Sequence, residues 1–219
     1  VVEDLLASWE ALIGRLTDDP DRVRIGRRLL ASWSDPGRTY HSIAHLRDIL
    51  TRVEELAGDA DDADAVRLAA WYHDAVYAGS PDDEERSARR AEQELSALGV
   101  TPRMVDEVAR LVRMTVTHDP AAGDCNAEVL SDADLASLAV PCEQYRRNSA
   151  AIRAEYPHVE DEAFRKGRLQ VLLALLECPA VFRTAAGRRR WEAAARENLR
   201  AELAVLAVAN SRAEPGHTQ

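Results

Sequence analysis

Apolar residues recur at intervals of three and four along nearly all of this 219-residue chain, and no stretch alternates with the period of two that a half-buried strand requires. Leu5, Trp9, Leu12 and Leu16 set the pattern; Asp18-Asp19-Pro20 interrupts it, and it resumes through Ile25, Leu29 and Leu30 until Pro36-Gly37. Further helices are predicted over about Ser42 to Leu56, Ala63 to Tyr77, Asp83 to Leu98 and Thr101 to Thr117. Others follow over about Asn126 to Leu138, Glu143 to Tyr156, Glu160 to Leu176 and Arg188 to Val208. Thr101-Pro102 has the form of a helix start, a capping hydroxyl followed by a proline in the first turn. There is no internal repeat and no long Gly/Ser linker. The predicted fold is therefore all-α, a single multi-helix bundle over residues 1–210 with a flexible tail at 211–219.

Charge narrows the partners. Lys+Arg number 28 against 38 Asp+Glu, a formal net charge of -10, which argues against a nucleic-acid polymer because duplex binding rests on clustered bases neutralising phosphates. A small anionic substrate stays compatible, since a cation and a few arginines reverse the sign inside a cleft. Cys125, Cys142 and Cys178 form no CxxC pair, and a widely spaced odd set suits a reducing compartment. The V-V-E-D start lacks a basic flank and apolar stretch, and the longest apolar run, Val171 to Leu176, is too short to span a bilayer. A cytoplasmic protein with no membrane partner is expected.

Chemistry concentrates in four short segments. They are Y-H-S-I-A-H (Tyr40 to His45), W-Y-H-D-A-V-Y (Trp71 to Tyr77), T-V-T-H (Thr115 to His118) and S-D-A-D-L (Ser131 to Leu135). His73 shares the inward face of its helix with Val66, Ala69 and Ala70, and an unpaired Asp74 beside it costs several kcal/mol to bury. A cation meets that cost. A satisfied core histidine next to a solvated carboxylate is the alternative. On a continuous helix His41 and His45 share one face. Asp134 lies on the inward stripe Leu130, Asp134, Leu138, whereas Asp132 points about 160° away from it at 100° per residue. Asp134 is thus the favoured ligand and Asp132 the alternative. Two imidazoles and two carboxylates make a mixed N/O site for one divalent ion: Mn, Fe, Co, Ni, Zn or Mg.

The order H…HD…D on separate helices resembles the HD-domain metal-dependent phosphohydrolases. Y-H-S-I-A-H-L, W-Y-H-D-A-V-Y, D-D-E-E-R-S-A, His118, S-D-A-D-L, Y-R-R-N-S-A-A-I-R-A-E-Y, F-R-K-G-R and A-R-E-N-L are similar to a predicted HD phosphohydrolase-like bacterial subgroup, from about Arg38 to Leu199. The resemblance implies that His45, His73, Asp74 and Asp134 hold the metal. Dinuclear members place two more histidines between the dyad and the final Asp; here only His118 is available, which favours one ion. The nucleotidase branch carries a Glu shortly after the dyad where this chain has Tyr77, and the subgroup often has Asn where this chain has Asp83.

The expected activity is hydrolysis of a phosphate ester or anhydride of a small molecule, nucleotides included, by a metal-activated water. Asp74 and His118 are the expected catalytic groups, with His41, Glu85, Arg153 and Tyr156 on the substrate. For each of the last three a structural role competes: a carboxylate at a helix N-terminus for Glu85, ion pairing for Arg153 and Tyr156. A metal-holding binding or regulatory module without turnover is the competing function. A metal-dependent oxygenase fits less well, because dinuclear oxygen chemistry needs more histidines than the chain offers. The acidic run Asp59 to Asp64 lacks the spacing of a calcium loop and reads as a solvated lead into a helix.

Overall fold

The computed structural model describes residues 2–213, and these are all-helical, with no strand among them. They fall into two compact units that divide after Asp134, where the sequence reading has a single domain over 1–210. The expected tail at 211–219 is helical as far as Ala213, and residues 214–219 lie outside the described residues. No described helix is long and apolar enough to cross a membrane.

The first unit holds α1 (Val2–Ile13), α2 (Arg22–Trp33), α3 (Ile43–Leu56), α4 (Ala63–Tyr72), α5 (Asp83–Ala97), α6 (Pro102–Met114) and α7 (Cys125–Leu135). Its centre is α4, which packs against α1, α3, α5 and α6. Ala65, Val66, Leu68, Ala69, Ala70, Trp71 and Tyr72 of α4 are all buried, as expected for a helix apolar around its whole circumference. Its alanines let neighbours approach closely. Asp62 caps it, accepting from the amides of Asp64 and Ala65, and takes its own place from Asn126, whose Oδ1 accepts the Asp62 N–H at 2.8 Å. Asp64 pairs with Arg15 and Arg67, so the acidic run serves the helix start.

Periodicity placed the end of α4 at Tyr77, but the helix stops at Tyr72. The carbonyls that would have carried it on are taken by side chains. His73 Nδ1 lies 2.9 Å from the Ala70 carbonyl, and Trp33 Nε1 donates to the Trp71 carbonyl at 3.1 Å. His73 and Asp74 consequently sit in the turn after α4 rather than within it. α6 likewise ends at Met114, short of Thr117, and Thr101 stands at its start without a side-chain cap bond.

The second unit comprises a 3-10 turn (Ala136–Ala139), α8 (Cys142–Ala154), α9 (Asp161–Glu177) and α10 (Ala185–Ala213). Arg168 donates to both Glu202 oxygens at 2.9 Å, while the Tyr145 and Ser149 hydroxyls donate to Glu202 Oε2. Asn198 Nδ2 donates to the carbonyls of Leu138 and Val140. These bonds tie α10 to both α8 and α9 through satisfied polar groups.

A tight point in the first unit is the crossing of α1 and α2. Trp9 is fully buried, its indole N–H donates to the Arg22 carbonyl at 2.8 Å, and a Cβ added at Gly26 would run into the Trp9 ring. Gly26→Ala should therefore lower stability by about 1–3 kcal/mol despite its better helix propensity. A urea midpoint at or above the wild-type value would contradict this packing.

Candidate metal centre

Four segments of the first unit converge on one cluster: the first turn of α3, the turn after α4, the turn after α6 and the end of α7. Ligand atoms of His45, His73 and Asp74 all lie within 4.8 Å of one another. His73 Nε2 is 3.1 Å from Asp74 Oδ2 and 4.0 Å from Asp134 Oδ2. His45 Nε2 is 3.3 Å from Asp134 Oδ1 and 4.0 Å from Asp74 Oδ2. His118 Nε2 lies 3.3 Å from Asp134 Oδ2. Asp134 thus faces three imidazoles at once.

His73 is pre-set to offer Nε2. A carbonyl cannot donate, so the contact to Ala70 fixes the proton of neutral His73 on Nδ1 and leaves a lone pair on Nε2. Both His45 Nε2 and His73 Nε2 are buried without a hydrogen-bond partner of acceptable geometry, although carboxylates surround them. Buried polar atoms are normally satisfied. A donor set of imidazole nitrogens and carboxylate oxygens, with two buried nitrogens outside hydrogen-bond geometry, fits a divalent cation of the Mn to Zn series or Mg. The dyad also lies at the C-terminal, electronegative end of α4, which favours positive charge.

Electrostatics carry the same signature. Burial by itself disfavours charge on His73, but the adjacent Asp74 carboxylate and then Asp134 reverse this and raise its pKa to about 9. Burial likewise opposes charge on Asp74 and Asp134. Against it, His73 holds Asp74, and His45 with the other imidazoles holds Asp134, well below the usual carboxylate range. The balance goes the other way at His118, where burial outweighs Asp134 and lowers the pKa.

Supporting groups were less legible. Trp33 is fully buried and backs both imidazoles, its ring centroid 5.4 Å from His73 and 6.3 Å from His45. Nothing in its sequence context sets it apart from the other core tryptophans. His118 adopts φ 49°, a left-handed conformation that a non-glycine residue rarely takes, and its Nδ1 lies 3.3 Å from Ser131 Oγ. His41 precedes α3 instead of sharing its face, yet its ring meets His45 edge-on at 5.5 Å and stacks on Tyr77 at 4.2 Å.

Of the two aspartates on α7, Asp134 makes the close approaches to the histidines. Asp132 does not point outward as the wheel suggested; it is fully buried, because α7 is covered around most of its circumference. Glu85 is engaged elsewhere, paired with Arg89 at 2.8 Å and Arg113 at 2.6 Å. Its neighbour Glu84 is the half-buried acid that senses the cluster: burial, then the charges of Asp74 and Asp83, hold its carboxyl above the usual range. In the second unit Arg153 braces the loop between α8 and α9, donating to Asp161 and to the carbonyls of Tyr156 and Val159, with Phe164 under its guanidinium. The Tyr156 ring lies 5.8 Å from that of Phe164. For Arg153 this is the structural role weighed above.

Comparison of the chain with protein-family models, with curated proteins and with solved structures finds no match.

The His73 pKa has a two-sided consequence. Its folded value lies above the unfolded value of about 6.5, so the metal-free protein gains stability from this charge below pH 6.5 and loses it as pH rises through about 9. A cation needs the Nε2 lone pair and must displace that proton, so its affinity should move oppositely, rising up to about tenfold per pH unit and levelling near pH 9. Calorimetric titration of Mn(II) from pH 6.5 to 9, beside thermal melts of metal-free protein, checks both slopes. A pH-independent affinity would contradict the assignment of His73.

Proposed function

We propose that this chain is a metal-dependent phosphohydrolase of HD-domain type acting on a small phosphate ester or anhydride, nucleotides among the candidates. The observation that supports it most is the pair of buried Nε2 atoms of His45 and His73, neither in hydrogen-bond geometry, lying 3.3 Å from the Asp134 carboxylate and 3.1 Å from that of Asp74 respectively. When bound there, a divalent cation supplies Lewis acidity toward a phosphoryl oxygen and a water of lowered pKa. The order of these residues along the chain, H…HD…D, is the order on which the resemblance to that family rests.

The protein's own groups divide the remaining work. His118, lowered in pKa by burial, holds a ring nitrogen 3.3 Å from Asp134 Oδ2, suited to moving a proton at the edge of the cluster. Glu84, on the α5 side, has a carboxyl held above the usual range by burial and then by the charges of Asp74 and Asp83, and makes no ion pair among the described residues. His41 and Tyr77, stacked against each other, wall the cluster next to His45 and restrict what reaches it.

Turnover on a panel of phosphate monoesters, nucleotides and anhydrides, with added Mn, Co, Ni or Mg, tests the reading. Metal-dependent hydrolysis lost in the His73→Ala/Asp74→Ala double variant is the expected result. Stoichiometric metal with no turnover on any phosphate would point to the binding module instead. In an active preparation His118→Asn should lower kcat by about 100-fold or more while metal content stays at the wild-type level. A variant with unchanged kcat would remove His118 from the proton path.

A further inference from the structure

Because Asp74 lies in a turn, no helical hydrogen-bond ladder sets the position of its carboxylate, and something else must. We infer that Arg38 is the positioning residue that locks the two ligand-bearing segments of the cation site together. The inference rests on reading His45, His73, Asp74 and Asp134 as that site.

Arg38 lies between α2 and α3, ahead of the first histidines. Its Nη1 donates to the backbone carbonyl of Asp74 at 2.7 Å and to that of His41 at 3.4 Å, and its Nη2 to that of Ala75 at 3.5 Å. One guanidinium therefore joins the segment leading to His45 with the turn that carries Asp74. The bond to Asp74 is short and charge-assisted, the stronger class of hydrogen bond. The same guanidinium sits 5.5 Å from the ring centroids of both Trp33 and Tyr77. Trp33 backs His73 and His45, while Tyr77 stacks on His41, so Arg38 contacts both aromatic rings that line these histidines.

The rest of the turn is held by separate means. Arg90 donates to the Ala75 carbonyl at 3.1 Å and to Ser32 Oγ at 2.8 Å. Ser87 Oγ bonds both the amide and the carbonyl of Val76, and Asp83 Oδ2 accepts from the amides of Ala78 and Ser80. Loss of Arg38 would thus leave the far end of the turn anchored and free the end that bears Asp74. Lysine cannot replace it: an ammonium offers no planar fork to reach several carbonyls while standing over the two rings.

The test is a Co(II) titration of wild type, Arg38→Gln and Arg38→Lys, read by calorimetry and by the visible d–d spectrum, with far-UV circular dichroism on each metal-free protein. Both variants are expected to keep their helical spectrum, bind Co(II) about 10–100-fold more weakly and show an altered d–d band, since groups that orient metal ligands typically matter by that factor. Wild-type affinity and spectrum in Arg38→Gln would overturn the inference, as would full rescue by Arg38→Lys. If Arg38→Gln does not fold, Arg38→Lys decides by the same two readouts. Wild type that binds no Co(II) would instead overturn the reading of the cation site, a result distinct from a silent Arg38.

Discussion

Two carboxylates held at 14 % and 15 % side-chain exposure, among imidazoles, are the constraint around which the first unit is organised. Left alone, each would cost several kcal/mol of desolvation. The structure meets that cost with positive charge. In metal-free protein it comes from a proton on His73, whose pKa is raised to about 9; a divalent cation in the proposed site would supply it more fully and release that proton. Stability without metal and affinity for metal are therefore linked with opposite dependence on pH.

The placement of α4 follows from the same demand. An alanine-rich helix buried on every side can pass through the middle of a helical unit and deliver its last residues to the interior. There the helix ends, at Tyr72, and the dyad occupies the turn that follows. Trp33 and His73 itself take the carbonyls of Trp71 and Ala70, and the chain turns with Nε2 of His73 toward the carboxylates. Core packing and site geometry are in this sense one arrangement, with Trp33 serving both.

Much of this was legible from spacing. The helices recur where apolar periodicity places them, and the 100° step singles out Asp134 over Asp132 for the approach to the histidines. What spacing could not show depends on partners distant in sequence. The early end of α4 follows from Trp33, 38 residues upstream of the carbonyl it takes. A helical wheel turns Asp132 away from Asp134, whereas α7 is enclosed on nearly all of its circumference. Glu84 and Glu85 are indistinguishable by composition; only the position of Arg113 shows that Glu85 is engaged away from the cluster. Arg153 is a similar case, since the carbonyls it serves belong to a loop whose path the sequence does not encode locally.

The central claim is that His45, His73, Asp74 and Asp134 form a cation site, and metal-edge X-ray absorption of the Co-loaded protein tests it most directly. The account expects near-stoichiometric metal with a shell of nitrogen and oxygen only, including the multiple scattering of at least two imidazoles, and its loss in the His73→Ala/Asp74→Ala variant. A shell of water oxygens without imidazole scattering, or the same spectrum in the double variant, would contradict it.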